Sequence, residues 1–166
     1  MLETLLLLIF PIAMAVAAAY DVVTMKIPNK ISVALFVAFL VSAPLAGLPL
    51  QAIGNHLLTG FVVLVIGFAM FTRGWLGGGD AKLLAATALW MGSQQLLPFL
   101  LAVTVFGGVL CLAVLLYRLI PSRFVVAPGW LVRLHSKEIG VPYGLAIGLG
   151  ALLLYPKTPY FAAFAV

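Results

Sequence analysis

Apolar residues run through this chain in six blocks, 4–20, 31–50, 57–71, 83–91, 96–117 and 141–155, and no charged residue falls inside any of them. A bilayer span takes roughly 20 apolar residues, so six spans consume about 120 and leave little for loops and ends. Charged residues make up 8% of the 166, whereas soluble domains carry about 25%. Such a chain cannot cover a water-facing surface. The pattern excludes a large extramembrane domain and, despite a net charge of +5, a soluble nucleic-acid binder. The expected fold is an all-α polytopic membrane protein, a bundle of about six transmembrane helices in a single integral-membrane domain, 1–166.

The fourth block is short and the third and sixth are near the lower limit, so tilt or mutual shielding is expected. The tail 160–166 is apolar but too short to cross. Gly60, Gly67, Gly107, Gly108, Gly144, Gly148 and Gly150 suit close helix approach, as in membrane bundles. Pro142, Gly144 and Gly148 make the last block a poor helix by propensity, so something should pack tightly there. Sidedness follows from the basic residues. Gaps after the first, third and fifth blocks hold Lys26, Lys30, Arg73, Lys82, Arg118, Arg123, Arg133 and Lys137, against Lys157 alone on the other side. That asymmetry places those loops in the cytoplasm and both termini outside it. Ala17-Ala18-Ala19 could mark a signal-peptide cleavage site. However, the preceding flank holds Glu3 and no Lys or Arg, and the basic residues come afterwards.

Ionisable groups at membrane depth are costly, which makes the four acids informative. They are Glu3, Asp21, Asp80 and Glu138. Asp21 closes the first block and Asp80 opens the fourth, so charge counting puts both at the cytoplasmic end. Asp80 precedes a strong helix-forming run and suits an N-cap, with Gly77-Gly78-Gly79 as a turn. Asp21 suits a solvated loop, although an acid at a helix C-terminus opposes the macrodipole. A sharper reading joins the two. Carboxylates about 3 Å apart cannot both ionise, so such a pair offers an acid and a base at once. It can activate water and protonate a leaving amine, hydrolysing a peptide without metal or covalent intermediate. A glycine run beside one aspartate permits close approach of an extended chain.

Other chemistries fit less well. Cys111 is the single cysteine, which precludes an intrachain disulfide or a multi-cysteine zinc site. No G-x-S-x-G occurs. His56 and His135 fall on opposite sides of the expected membrane, and His135 with Glu138 offers two ligands where zinc needs three or four. No metal and no cofactor are expected. Trp130, Leu131 and Leu134, interleaved with Arg133, Ser136 and Lys137, suggest a short helix on the cytoplasmic leaflet. Arg118 and Arg123 are expected to fix topology.

Three segments carry a resemblance: Asp21-Val-Val-Thr-Met-Lys-Ile-Pro28-Asn29, Gly77-Gly78-Gly79-Asp80-Ala-Lys82-Leu, and Val141-Pro142-Tyr143-Gly144. Together and in this order they resemble the prepilin peptidases, G-x-G-D aspartic peptidases of membranes, in particular the short forms serving tight-adherence (Flp-type) pili. The resemblance implies an endopeptidase of the bacterial inner membrane. It would remove the short basic leader of type IV prepilins and pseudopilins at the cytoplasmic face, just before their apolar helix. It implies Asp21 and Asp80 as the catalytic pair. Gly77, Gly78, Gly79, Lys82, Pro28, Asn29, Pro142 and Gly144 would be motif-supporting, with pilus assembly machinery as a further partner. Pro28 would break the chain after the first span and Asn29 cap the next helix. Lys82, two residues beyond Asp80, would point about 200° away on a helix and snorkel to the interface. With one cysteine and no room for the long forms' zinc-binding domain, N-methylation is not expected. The loop 118–140 remains a candidate for substrate docking.

The signal-peptide-peptidase and presenilin class also pairs Y-D with G-x-G-D, but on consecutive spans and with a P-A-L motif that is absent here. A proton- or cation-coupled transporter would use both acids as relay sites, yet no internal repeat is visible. In a structural subunit of a pilus or secretion apparatus the aspartates would be incidental, and charge reversal there would be tolerated.

Overall fold

The computed structural model describes residues 2–121, 128–136 and 140–164. Its elements are helices α1 (Leu2–Thr24), α2 (Asn29–Leu45), α3 (Leu50–Thr72), α4 (Gly78–Arg118), α5 (Gly129–His135) and α6 (Tyr143–Leu154), then a 3-10 turn Tyr155–Lys157 and α7 (Pro159–Ala162). The described residues contain no strand. Among the described residues three helices, α1, α3 and α4, are long and apolar enough to cross a membrane. Large apolar side chains point outward along them, with Phe61 62% and Val105 63% exposed. A bilayer, rather than water, is the solvent such a surface fits.

As one rod, the 41 residues of α4 would reach roughly 60 Å, twice a bilayer's hydrocarbon core. Gly92 breaks it, at φ 65° and ψ 175°, a conformation open to glycine and strained for other residues. The break falls between the blocks 83–91 and 96–117. It also reverses the chain. Asp80 starts the first segment, and Arg118 at the end of the second reaches back toward the start of α6, donating from Nη2 to the Gly140 carbonyl at 3.4 Å.

Breaking a buried helix orphans backbone groups, and α3 supplies their replacements. In a continuous helix the Ser93 N–H would donate to the Leu89 carbonyl. Instead His56 Nδ1 donates to that carbonyl at 2.7 Å, and the Ser93 N–H donates to Asn55 Oδ1 at 3.4 Å. The imidazole fills the space a Cβ on Gly92 would need, at 2.7 Å from His56 Cε1, and stacks on Phe39. Two adjacent residues of one helix thus splint the reversal in another.

Glycines set the remaining contacts. Gly60 and Gly67 bring α3 onto Leu89 and Ala81 in the first segment of α4, and Gly150 brings α6 onto Val103 in the second. Gly148 seats α6 on Ala18 of α1, the tight packing expected of that block. Gly108 was expected to join them but has no neighbour within 4 Å. At the end of the bundle around Gly92, Trp90 is fully buried against Phe10, Phe39 and Tyr160 and donates from Nε1 to the Leu35 carbonyl at 3.0 Å. The apolar tail thereby contributes Tyr160 as a plug.

Helix α5 is tied to the bundle. Arg133 donates to the Val23 carbonyl at the end of α1 at 2.6 Å. Arg118 Nε donates to the Leu134 carbonyl at 2.9 Å, and His135 Nε2 to that of Ile120 at 2.7 Å. Arg118 and Arg133 thus serve helix ends, where cations are favoured. Arg123, Lys137 and Glu138 lie outside the described residues, with the rest of 122–127 and 137–139 in the 118–140 loop, so of the His135/Glu138 pair only His135 is described.

His56→Ala leaves the buried Leu89 carbonyl without its partner, a loss of about 1–3 kcal/mol. The expected result is a lower midpoint of thermal unfolding in detergent, with a smaller drop for Asn55→Ala; unchanged midpoints for both would contradict the splint.

Candidate active site

Asp21 is the fourth residue from the end of α1 and is only 5% exposed. The last turn of a helix is an unfavourable place for a carboxylate. The first turn of α6 compensates it, because the Gly144 N–H donates to Asp21 Oδ2 at 2.6 Å. Pro142 is the N-cap of α6, so Gly144 is among the first residues whose N–H has no partner within the helix. Only glycine fits there. A Cβ would lie 2.8 Å from both Asp21 Oδ2 and Ile27 Cδ1.

Asp80 is on the first turn of α4, with Gly77 as N-cap. It is therefore not the cap itself. It is the third helical residue, and its carboxylate faces back onto the Gly77 N–H, the reciprocal half of a capping box. A Cβ on Gly77 would stand 2.5 Å from Asp80 Oδ2, so this glycine too is needed for room. Gly78 lies against the Phe71 ring and Gly79 against Ile27.

Both carboxylates line one cavity of about 750 Å³, with Met25, Gly77, Val141 and Tyr143 around them. They are close enough for Asp80 to feel the charge of Asp21. Their helices meet through α6, which packs on both α1 and α4. The other motif residues divide. Gly77 and Gly144 touch the acids; Pro28 and Pro142 are the N-caps of α2 and α6. Lys82 turns away from this cavity, as its spacing predicted, but Nζ donates to Asn29 Oδ1 at 3.0 Å, tying α4 to α2. Asn29 is the first residue of α2, whose N-cap Pro28 offers no side-chain hydrogen bond. Asn29 thus receives Lys82 where a helix cap was expected. Among the described residues no three His, Cys, Asp or Glu side chains gather as metal ligands.

Three neighbours lie within the quoted segments, but the sequence reading gave them no role. Met25 ends α1 with φ 58°, its N–H donating to the Asp21 carbonyl at 2.8 Å, a left-handed helix stop usually given to glycine. That turn aims Ile27 into the gap between Gly79 and Gly144, wedging the starts of α4 and α6. Tyr143 lies with its ring against Gly107, where any side chain would collide with it. An isolated non-glycine residue in a left-handed turn carries no sequence mark. The Ile27 and Tyr143 contacts join segments far apart in the chain.

Fold and site define a helical membrane protein with two acids, one from each of two distant helices, facing one cavity near the helix ends. A family model described as the type IV leader peptidase family matches residues 8–112, more than half of the chain, and the chain belongs to that family. The matched span holds both Asp21 and Asp80; Tyr143 and Gly144 lie beyond it. Searches of curated proteins and of solved structures return no match.

Gly144→Ala forces its methyl group onto the Asp21 carboxylate. Displacement of a reacting group by about 1 Å can cost 100-fold in rate. Leader cleavage is expected to fall by roughly that factor while membrane insertion and expression persist; cleavage at the wild-type rate would contradict the assigned geometry.

Proposed function

We propose that this protein is a membrane aspartic endopeptidase that removes the leader of type IV, Flp-like prepilins and pseudopilins. The carrying observation is the shared cavity: Asp21 and Asp80 come from segments far apart in sequence yet face the same space. Membership of a leader peptidase family supports the reaction class.

In this reading a water sits between the two carboxyl groups, one ionised and one protonated. The ionised group takes a proton from the water as its oxygen attacks the scissile carbonyl. The protonated group gives its proton to the carbonyl oxygen, forming a tetrahedral diol. The amide nitrogen is then protonated by the acid formed in the first step, a diol hydroxyl returns its proton to the other carboxylate, and the C–N bond breaks. A carboxyl group is left on the leader and an amine on the mature chain. The Gly144 N–H holds Asp21 in place, and the Gly77 N–H holds Asp80.

The two segments of α4 count as separate spans, so the chain crosses six times with both termini outside the cytoplasm. Lys26, Arg73, Lys82, Arg118 and Arg133 flank the helix ends near the aspartates, and the positive-inside rule makes that end cytoplasmic. Residues 1–166 form one peptidase domain, which resides in a bacterial inner membrane.

The test is cleavage of a co-expressed Flp-type prepilin in membranes, read by mass spectrometry. Wild type releases the leader, whereas Asp21→Asn and Asp80→Asn at equal membrane levels leave it uncut. Cleavage by both variants would overturn the mechanism. Cleavage by wild type is also expected to survive EDTA, and loss on chelation would argue for a metal.

A further inference from the structure

We infer that the cavity holding the aspartates is also the seat of the substrate's apolar helix, which slides in sideways from the bilayer between α3 and the reversed α4. This rests on the leader-peptidase reading and extends it to the residues that bind substrate.

The cavity lining changes character along its length. Beside the carboxylates it is unwound chain, Trp75–Gly77 and 140–141. Farther in it is helix surface, with Val63 and Ile66 of α3 facing Leu100 and Val103 of α4. Little there is polar, so a peptide occupying that depth must satisfy its own backbone and enters as a helix. At the carboxylates the peptide has to be extended for attack, and Gly77 with the 140–141 segment leaves room and backbone for that. The boundary between the two parts lies at Asp21 and Asp80. A chain changing there from extended leader to apolar helix presents its first peptide bond before the helix to both acids.

The reversal at Gly92 creates this space. Gly60 and Gly67 hold α3 on the first segment of α4, Gly150 holds α6 on the second, and the wedge between is left open. A second apolar groove of about 680 Å³ runs along the other side of α3, past Phe36, Phe61 and Lys82. Neither aspartate lines it. A helix docked there would have the first segment of α4 between its cleavage point and the acids.

The two grooves separate cleanly by photo-crosslinking. In the Asp80→Asn protein, a photoreactive amino acid replaces in turn Ile66 and Thr104, which line the first cavity, and Phe36 and Phe61, which line the second. An uncut Flp-type prepilin is co-expressed. Adducts at Ile66 and Thr104, mapping to the prepilin's apolar helix and absent at Phe36 and Phe61, are expected. Adducts only in the second groove, or none at Ile66 and Thr104 while wild type cleaves the same prepilin, would overturn the seat and leave the peptidase standing. Failure of wild type to cleave would remove both. In the active protein Ile66→Trp is expected to raise KM roughly tenfold with little change in kcat, the mark of lost binding rather than lost chemistry; an unchanged KM would count against the seat.

Discussion

The hydrogen bond from the Gly144 N–H to Asp21 Oδ2, at 2.6 Å, governs much of the architecture around the site. A carboxylate in the last turn of α1 faces the negative end of its own helix and is almost wholly buried. The first turn of α6 offsets both penalties with an unpaired N–H and the positive end of a second helix. For this to happen α6 must come within van der Waals contact of α1, which Gly144 and Gly148 allow. Ile27, wedged between Gly79 and Gly144, then ties the same corner to the start of α4. Asp80 is held by the equivalent arrangement at its own helix start. The two acids are each anchored by a helix N-terminus, and α6 is the element that brings them to one cavity.

The second constraint is at the opposite end. A 41-residue apolar helix has to reverse to remain within a bilayer, and reversal frees backbone groups, the buried Leu89 carbonyl among them. His56 and Asn55 take over the hydrogen-bonding partners that Leu89 and Ser93 lose. This explains a histidine that is buried yet takes no part in the proposed chemistry. The reversal sends the second half of α4 back alongside α6, where Gly107 gives room to Tyr143, and it leaves the wedge that the substrate helix is proposed to fill.

The helical class and the placement of two acids at helix ends were legible because they depend on local signals: uninterrupted apolar blocks and carboxylates at block ends. Spacing alone also turned Lys82 away from Asp80. The opposition of Asp21 to its own helix dipole was visible too, and its resolution was not, since the compensating N–H lies 123 residues away. Asn29 looked like a cap by residue type, but its amide oxygen is taken by a lysine from a distant helix. The splint at Gly92 was hidden for the same reason: nothing near His56 marks it as the partner of a carbonyl in another helix.

The central claim is that residues 21 and 80 face each other across one cavity, and it can be tested apart from catalysis. With Cys111→Ser removing the native thiol, Asp21→Cys and Asp80→Cys are combined and membranes are treated with a short bifunctional thiol reagent. The account predicts a single bridged adduct joining the two positions, found by mass spectrometry after digestion. Two independent single-ended adducts, with no bridge formed, would contradict it.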